Sequence, residues 1–367
     1  MKRQKRSKKK MVIIVVTAVV LCAALAVGAF SVYGNIQMKK LPGLSFADCM
    51  EYTNGGDTGA VITVGILKDG QMSYKVYGED GKELPAELHT YEIGSITKTL
   101  TAALINKAIG EGKISLDGTI DEYLDLPEGN NYPSIKELLT HTSGYKSYYL
   151  DGQMIRNTLT GRNSFYGVGR DKVLSKAASL SMDKDSHGFE YSNFGFAVLG
   201  LVLEAVYDED YTTLLNDFVQ NELGMKHTHI SDMNGDLGNY WEWIADDAYI
   251  PAGAVTSDIE DMLLYAQLQL DGDERFLNCH KSLKKVNASD GRNAALGIRI
   301  DEVGMSWIID DETGIIWHNG GTGHYNSYLG FDKENGTAVV ILSNLGPSYR
   351  IPATVLGVKL MNELADG

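Results

Sequence analysis

Glu92-Ile93-Gly94-Ser95-Ile96-Thr97-Lys98 is followed at once by Thr99-Leu100-Thr101-Ala102-Ala103-Leu104-Ile105-Asn106-Lys107-Ala108-Ile109. Leu100, Leu104, Ile105 and Ala108 recur at helical spacing, and Gly110 predicts the stop. Ser95 therefore falls at or near the first turn, and Lys98, three residues on, shares its helix face. A serine hydroxyl is a weak nucleophile that needs a base within hydrogen-bond reach. A lysine can be that base when burial favours its neutral form. The free N–H groups and partial positive charge of a helix start suit an oxyanion forming beside Ser95. Spacing alone does not single this serine out, because Ser-x-x-Lys also starts at Ser7, Ser143, Ser181 and Ser282. The Ser7 copy lies in a basic tail, and the other three read as loop or surface. The Ser95 copy alone joins a strand-like Tyr91-Glu92-Ile93-Gly94 to an apolar helix.

On the N-terminal side of this stretch, Ala60 to Leu67 has a strand pattern. Asp69-Gly70 then predicts a hairpin turn into Met72–Tyr77. On the C-terminal side the chain turns helical and loop-rich. Ser134-Ile135-Lys136-Glu137 is a capping box leading to Thr140-His141-Thr142-Ser143-Gly144. His141 and Ser143 are read as turn and packing residues, since Gly144 marks a loop. Helices are expected over 196–203, 211–223 and 258–270. Trp241-Glu242-Trp243 and Pro251-Ala252-Gly253-Ala254 have the look of cleft-rim loops. The last third returns to strands at 304–309, 314–318, 328–331 and 337–342, with the acidic run Asp310-Asp311-Glu312 in a turn. A helix over 353–364 follows.

The first forty residues differ from the rest. Seven lysines and arginines lie in residues 1–10, and Met11 to Tyr33 carries no charged residue. That run is long enough to cross a bilayer of about 30 Å. The flanking basic cluster predicts the N-terminal end in the cytoplasm and the remainder outside. The expectation is a basic tail over 1–10, an uncleaved transmembrane signal-anchor over 11–33, a linker over 34–44 and one domain over 45–367. The rival is a cleaved signal peptide with Ala24-Leu25-Ala26 as its processing site, whose apolar core would be shorter than this run. After residue 40 the chain holds 24 basic and 48 acidic residues, a net of −24, which argues against nucleic-acid binding. Cys49 and Cys279 either pair or stay free thiols, and no Cys/His spacing reads as a zinc site. No metal or other cofactor is expected.

Two further motifs follow the first. Tyr191-Ser192-Asn193 precedes the apolar run 196–203, so its phenol can point into a cleft. A phenol near ammonium groups can have its pKa lowered and relay protons. The other Tyr-x-Asn copies end the apolar N-terminal run, at Tyr33, or read as a turn, at Tyr52. His318-Asn319-Gly320-Gly321 follows the strand at 314–318.

Ser95-x-x-Lys98, Tyr191-x-Asn193 and His318-x-Gly320, in that order, resemble the serine β-lactamase and penicillin-binding-protein superfamily in its class C-like branch. That branch includes D-alanyl-D-alanine carboxypeptidases, D-aminopeptidases and esterases. Leu138–Gly144 and the stretch from Trp317 to Phe331 are also similar to family patterns. The resemblance implies an α/β (α+β) fold, with an antiparallel sheet built from both ends of the chain, flanked by helices, and a mainly helical middle region. The site lies between them. It implies Ser95 as nucleophile, Lys98 as its base or proton partner and Tyr191 as proton relay. Asn193, His318, Gly320 and Gly321 would bind substrate, and the N–H groups of Ser95 and Gly321 would form an oxyanion hole. The third motif departs from Lys-Thr-Gly. Histidine loses its charge near neutral pH, and Asn319 replaces a hydroxyl that often contacts a substrate carboxylate. The expected function is a membrane-anchored extracytoplasmic serine hydrolase. It would work through an acyl-enzyme on small esters, D-amino-acid amides or cell-wall peptides, with poor turnover of β-lactams. The alternative is a non-catalytic peptidoglycan- or β-lactam-binding domain on the same fold.

Overall fold

The computed structural model describes residues 40–56, 58–183 and 186–366. The chain divides into a unit up to Ser45 and a compact unit from Phe46 to Gly367. Of the first, the described residues hold one 3-10 turn, Leu41–Gly43. The expected span over 11–33 lies outside the described residues. No helix among those described is long and apolar enough to cross a membrane.

The compact unit is built on antiparallel strands from both ends of the chain. The N-terminal part supplies β1 (Ile62–Lys68), β2 (Gln71–Tyr77) and β3 (Glu83–Leu84), then β4 (Tyr91–Glu92). The middle contributes β5 (His229–Ile230) and β6 (Val255–Ser257). The C-terminal part supplies β7 (Lys284–Lys285), β8 (Glu302–Val303), β9 (Ile308–Ile309), β10 (Ile316–Gly321), β11 (Asn326–Asp332) and β12 (Thr337–Ser343). Among the described residues the large sheet runs β3-β2-β1-β12-β11-β10-β9-β8-β7, and a small one runs β4-β6-β5. The ends of the chain meet where β1 pairs with β12, Ile62 opposite Ser343. The β1–β2 hairpin turns on Asp69 and Gly70, whose φ values of 52° and 73° are those a two-residue hairpin loop needs.

β11 and β12 are buried along their whole length. Helices cover the sheet on both faces, which is why Ala338-Val339-Val340-Ile341-Leu342 is continuously apolar. Helix Ile259–Leu270 presses so close that a side chain on Gly65 would sit 2.7 Å from Ile259 Cδ1. On the other face helix Ala353–Asp366 lies against Tyr328, 2.0 Å from where a Gly357 Cβ would stand. The middle of the chain is mainly helical, with Thr97–Gly110 and Asn193–Tyr207 buried along most of their length.

The helix after Ser95 ends at Gly110 as expected, with a left-handed turn at Gly112 just beyond it. Other sequence expectations need correction. The strand expected over 304–309 is interrupted: Gly304 to Trp307 form the turn joining β8 and β9, with Ser306 at φ 69°. The Tyr52 copy of Tyr-x-Asn lies in helix Phe46–Asn54, not in a turn. Cys49 and Cys279 are both buried and free.

Candidate active site

Ser95 lies in a 3-10 turn, Gly94–Ile96, that runs straight into helix Thr97–Gly110. Gly94 adopts φ +51°, and a side chain there would stand 2.5 Å from Gly321 N. The turn thus abuts the end of β10. Thr322 N donates to Tyr325 O, closing the β10–β11 hairpin. By the alternation of an antiparallel ladder, the Gly321 N–H then points away from β11, off the open edge of β10. Gly320 fits tighter still, since its Cβ would fall 1.9 Å from Ile93 O. The sequence reading gave this glycine to substrate approach. The packing assigns it instead to the close passage of the Ser95 turn.

Lys98 is fully buried. Its Nζ lies 3.1 Å from Ser95 Oγ, 2.8 Å from Asn193 Oδ1 and 2.6 Å from Ala252 O. Among the described residues no carboxylate pairs with it, and burial holds its amine well below the ordinary lysine value. A neutral amine has two N–H bonds and one lone pair. The two oxygens that can only accept, on Asn193 and Ala252, take the donors. When the amine is neutral, its lone pair is left for the Ser95 hydroxyl. Ala252 was read as part of a rim loop. It sits in the buried helix Ile250–Gly253, and its role is carried by a backbone carbonyl, which leaves no mark in the sequence.

The Tyr191 phenol is hydrogen-bonded to Ser95, and its ring lies beneath Lys98 Nζ, 4.9 Å from the ring centre. Burial pushes the phenol up, against that hydrogen bond. This reverses the lowered value expected from nearby ammonium charge, because desolvation is the larger effect. Asn193 opens its helix, capped by Ser192, and its Nδ2 donates to Ser147 Oγ at 3.3 Å. His141 is more than a turn residue. Its Nδ1 accepts the Ser192 N–H at 3.1 Å, and its ring packs 4.4 Å from that of Tyr191. Burial, with Lys98 and His318 nearby, holds it well below its ordinary value.

His318 is buried, with Nδ1 2.7 Å from the Asn319 carbonyl. A carbonyl only accepts, so Nδ1 carries the proton and Nε2 keeps its lone pair. Burial and then Lys98 push the imidazole down to about 3, against that hydrogen bond. Asn319 faces away. It pairs across the ladder with Tyr328, and its Nδ2 donates to Thr354 Oγ1 at 2.9 Å on the C-terminal helix. Its amide is thus engaged away from the place where the family's hydroxyl would meet a substrate carboxylate. Ser95, Lys98, Tyr191, Asn193 and His318 are brought together, and Gly321 reaches the same place through its backbone.

Glu92 ends β4, just before the Ser95 turn. It is buried, accepts the Trp241 N–H at 2.6 Å and the Thr322 hydroxyl, and so ties two loops beside the Ser95 turn. Burial pushes its carboxyl up to about 7 against both hydrogen bonds. Between about 4.5 and 7 the unfolded chain releases a proton that the folded chain keeps. The stabilisation this gives is complete at low pH and is lost as pH rises through 7. At 1.36 kcal/mol per unit it amounts to no more than ~3 kcal/mol. Glu92→Gln is expected to flatten the fall in melting temperature between pH 5 and 8. Equal slopes for variant and wild type would exclude Glu92 as its source.

The model of the family described as beta-lactamase matches residues 46–356. Among curated proteins, Protein flp of Staphylococcus aureus strain MW2 is 22% identical over 329 residues, which cover 81% of this chain and 62% of that protein. The chain thus spans under two thirds of the length of that relative. A beta-lactamase of Pseudomonas fluorescens is 21% identical over 329 residues, 78% of this chain and 88% of that protein. Among solved structures, the beta-lactamase/D-alanine carboxypeptidase from Yersinia pestis complexed with citrate superposes with a TM-score of 0.67. It is 19% identical, covering 90% of this chain and 99% of that one, a likeness of fold.

Proposed function

The chain belongs to the beta-lactamase family of serine hydrolases, and from that premise we propose that it is a membrane-anchored extracytoplasmic hydrolase acting through an acyl-enzyme. The observation that carries the reading is the buried Lys98 amine, which no carboxylate among the described residues pairs with and whose Nζ lies 3.1 Å from Ser95 Oγ. A binding domain has no need of a desolvated amine beside a serine.

In the proposed reaction Ser95 Oγ attacks the substrate carbonyl and passes its proton to Lys98 Nζ. The oxyanion is held by the N–H groups of Ser95 and Gly321. The neutral Tyr191 phenol donates to the leaving oxygen or nitrogen and is reprotonated from Lys98. Water then releases the acyl group by the reverse path.

The substrate class follows from His318. A lysine in its place would offer a cation to a substrate carboxylate, whereas this imidazole is neutral across physiological pH. A charge-assisted hydrogen bond is worth roughly 1.5–3 kcal/mol, or about tenfold to a hundredfold in discrimination. Small esters and D-amino-acid amides, which bring no carboxylate to that position, are therefore favoured over β-lactams. The test compares kcat/KM for a nitrophenyl ester, a D-alanyl-D-alanine peptide and a chromogenic cephalosporin, in wild type and His318→Lys. Wild type is expected to prefer the ester, and the variant to gain about tenfold or more on the cephalosporin and on the peptide relative to it. A wild type fastest on the cephalosporin, with His318→Lys slower, refutes this reading.

The anchoring rests on the basic cluster in residues 1–10 and the uncharged run from Met11 to Tyr33. N-terminal sequencing of the membrane fraction is expected to find residues 1–33 still joined to the catalytic part. A soluble product starting near Val27 would mean that a signal peptide is removed.

A further inference from the structure

A cavity of about 450 Å³ lies between the 146–151 loop and helices Gly152–Leu159 and Arg170–Ala178. The volume falls in the ~300–1,000 Å³ range of small-molecule sites. None of Ser95, Lys98, Tyr191, Asn193 and His318 lines it. Its walls are apolar and buried: Met154, Val173, Phe194 and Tyr249 are each no more than 2% exposed.

Its rim is basic. Lys146, Lys172 and Lys176 line it together with one carboxylate, Asp151, which Lys172 already engages at 2.5 Å. Among the described residues Lys146 and Lys176 have no carboxylate partner, and Lys176 Nζ instead sits over the Tyr149 ring at 4.7 Å. Residues 146–176 hold six basic residues against two acidic ones; Arg162, Arg170 and Lys172 are paired with Glu242, Glu204 and Asp151, which leaves Lys146 and Lys176 as the basic groups at the rim. Two such lysines concentrate anions locally. The same segment is unusually apolar outside. Four of the ten large hydrophobic side chains exposed among the described residues are Tyr148, Leu150, Ile155 and Leu159. Ile155 and Leu159 are four apart on one helix face. Clustered exposed apolar surface marks an interaction site, where scattered residues would not.

We propose that this cavity binds an anionic amphiphile: an aliphatic chain enters between Phe194, Met154 and Val173, and its carboxylate or phosphate head meets Lys146 and Lys176. A purely polar ligand would leave the walls unmatched. A neutral one would leave the two lysines without a counter-charge.

The test uses the full chain in phosphatidylcholine nanodiscs, photolabelled with a dodecanoic acid bearing a terminal diazirine. Adducts are expected on peptides containing Met154, Val173 or Tyr249. They should fall at least tenfold with the matching dodecanol probe and in Lys146→Glu/Lys176→Glu, two surface changes checked for folding by unaltered phosphonate labelling of Ser95. Val173→Phe, which fills the cavity, should block labelling independently. Competition by free dodecanoate, or by phosphatidylglycerol added to the disc, identifies a fatty acid or a lipid as the source of the head group. Adducts spread elsewhere, equal labelling by the alcohol, or no response to the lysine substitutions would overturn the proposal.

Discussion

Ser95→Ala is expected to lower kcat/KM on every substrate by about 10⁴-fold or more, as loss of a covalent nucleophile does. Labelling by an active-site phosphonate should be lost with it. The side chain lies at the junction of a 3-10 turn and a helix whose backbone bonds do not involve its hydroxyl. The fold should therefore survive, with a small change in melting temperature. Lys98 Nζ keeps Asn193 and Ala252 as partners, so no buried donor is stranded. Undiminished phosphonate labelling in the variant would remove Ser95 from the nucleophile's role.

The second large effect concerns Lys98 and Tyr191 as a pair. Both touch the Ser95 hydroxyl, one through its amine and the other through its phenol. Lys98→Ala and Tyr191→Phe should each cost about 10²–10⁴-fold in kcat. The double variant should be little worse than the poorer single, because both act on one proton. The pH profile separates their parts. Lys98 accepts a proton only when neutral, so activity must fall as pH drops through its folded pKa, which burial places well below the ordinary lysine value. Tyr191→Phe should keep that acidic limb, and Lys98→Ala should abolish it. Fully multiplicative losses would mean that the two groups serve separate steps.

The pH dependence also exposes a cost built into the site. A depressed lysine pKa means that the unfolded chain binds a proton the folded chain refuses, so the penalty grows as pH falls. Glu92 acts in the opposite sense, holding a proton in the folded state up to about pH 7. Stability around neutrality therefore reflects two buried groups beside the Ser95 turn, pulling against each other.

Much of this molecule is local and was legible as such. The Asp69-Gly70 hairpin follows from two residues that tolerate positive φ. The box at Ser134 and Glu137 forms as written, both side chains reaching the other's backbone. The long apolar strands, the helix after Ser95 and the order of the three motifs are also properties of short stretches. They suffice for the fold class and for the side chains that gather at the site.

The tertiary structure alone decided what those side chains are. The Lys98 amine is held below the ordinary lysine value because it is desolvated among partners 95 and 154 residues away, and one of those is a main-chain carbonyl that any residue would supply. Tyr191 is raised where proximity to a lysine suggested lowering, since burial outweighs the Ser95 hydrogen bond. Asn319 turns from the site because the β10–β11 register puts it on the face of the C-terminal helix. Gly320 is a glycine because Ile93 passes against it, 227 positions earlier in the chain. Sequence determines spacing and pattern through neighbours along the chain. Desolvation, register and close approach are set by neighbours across it, and those exist only once the two ends have met in one sheet.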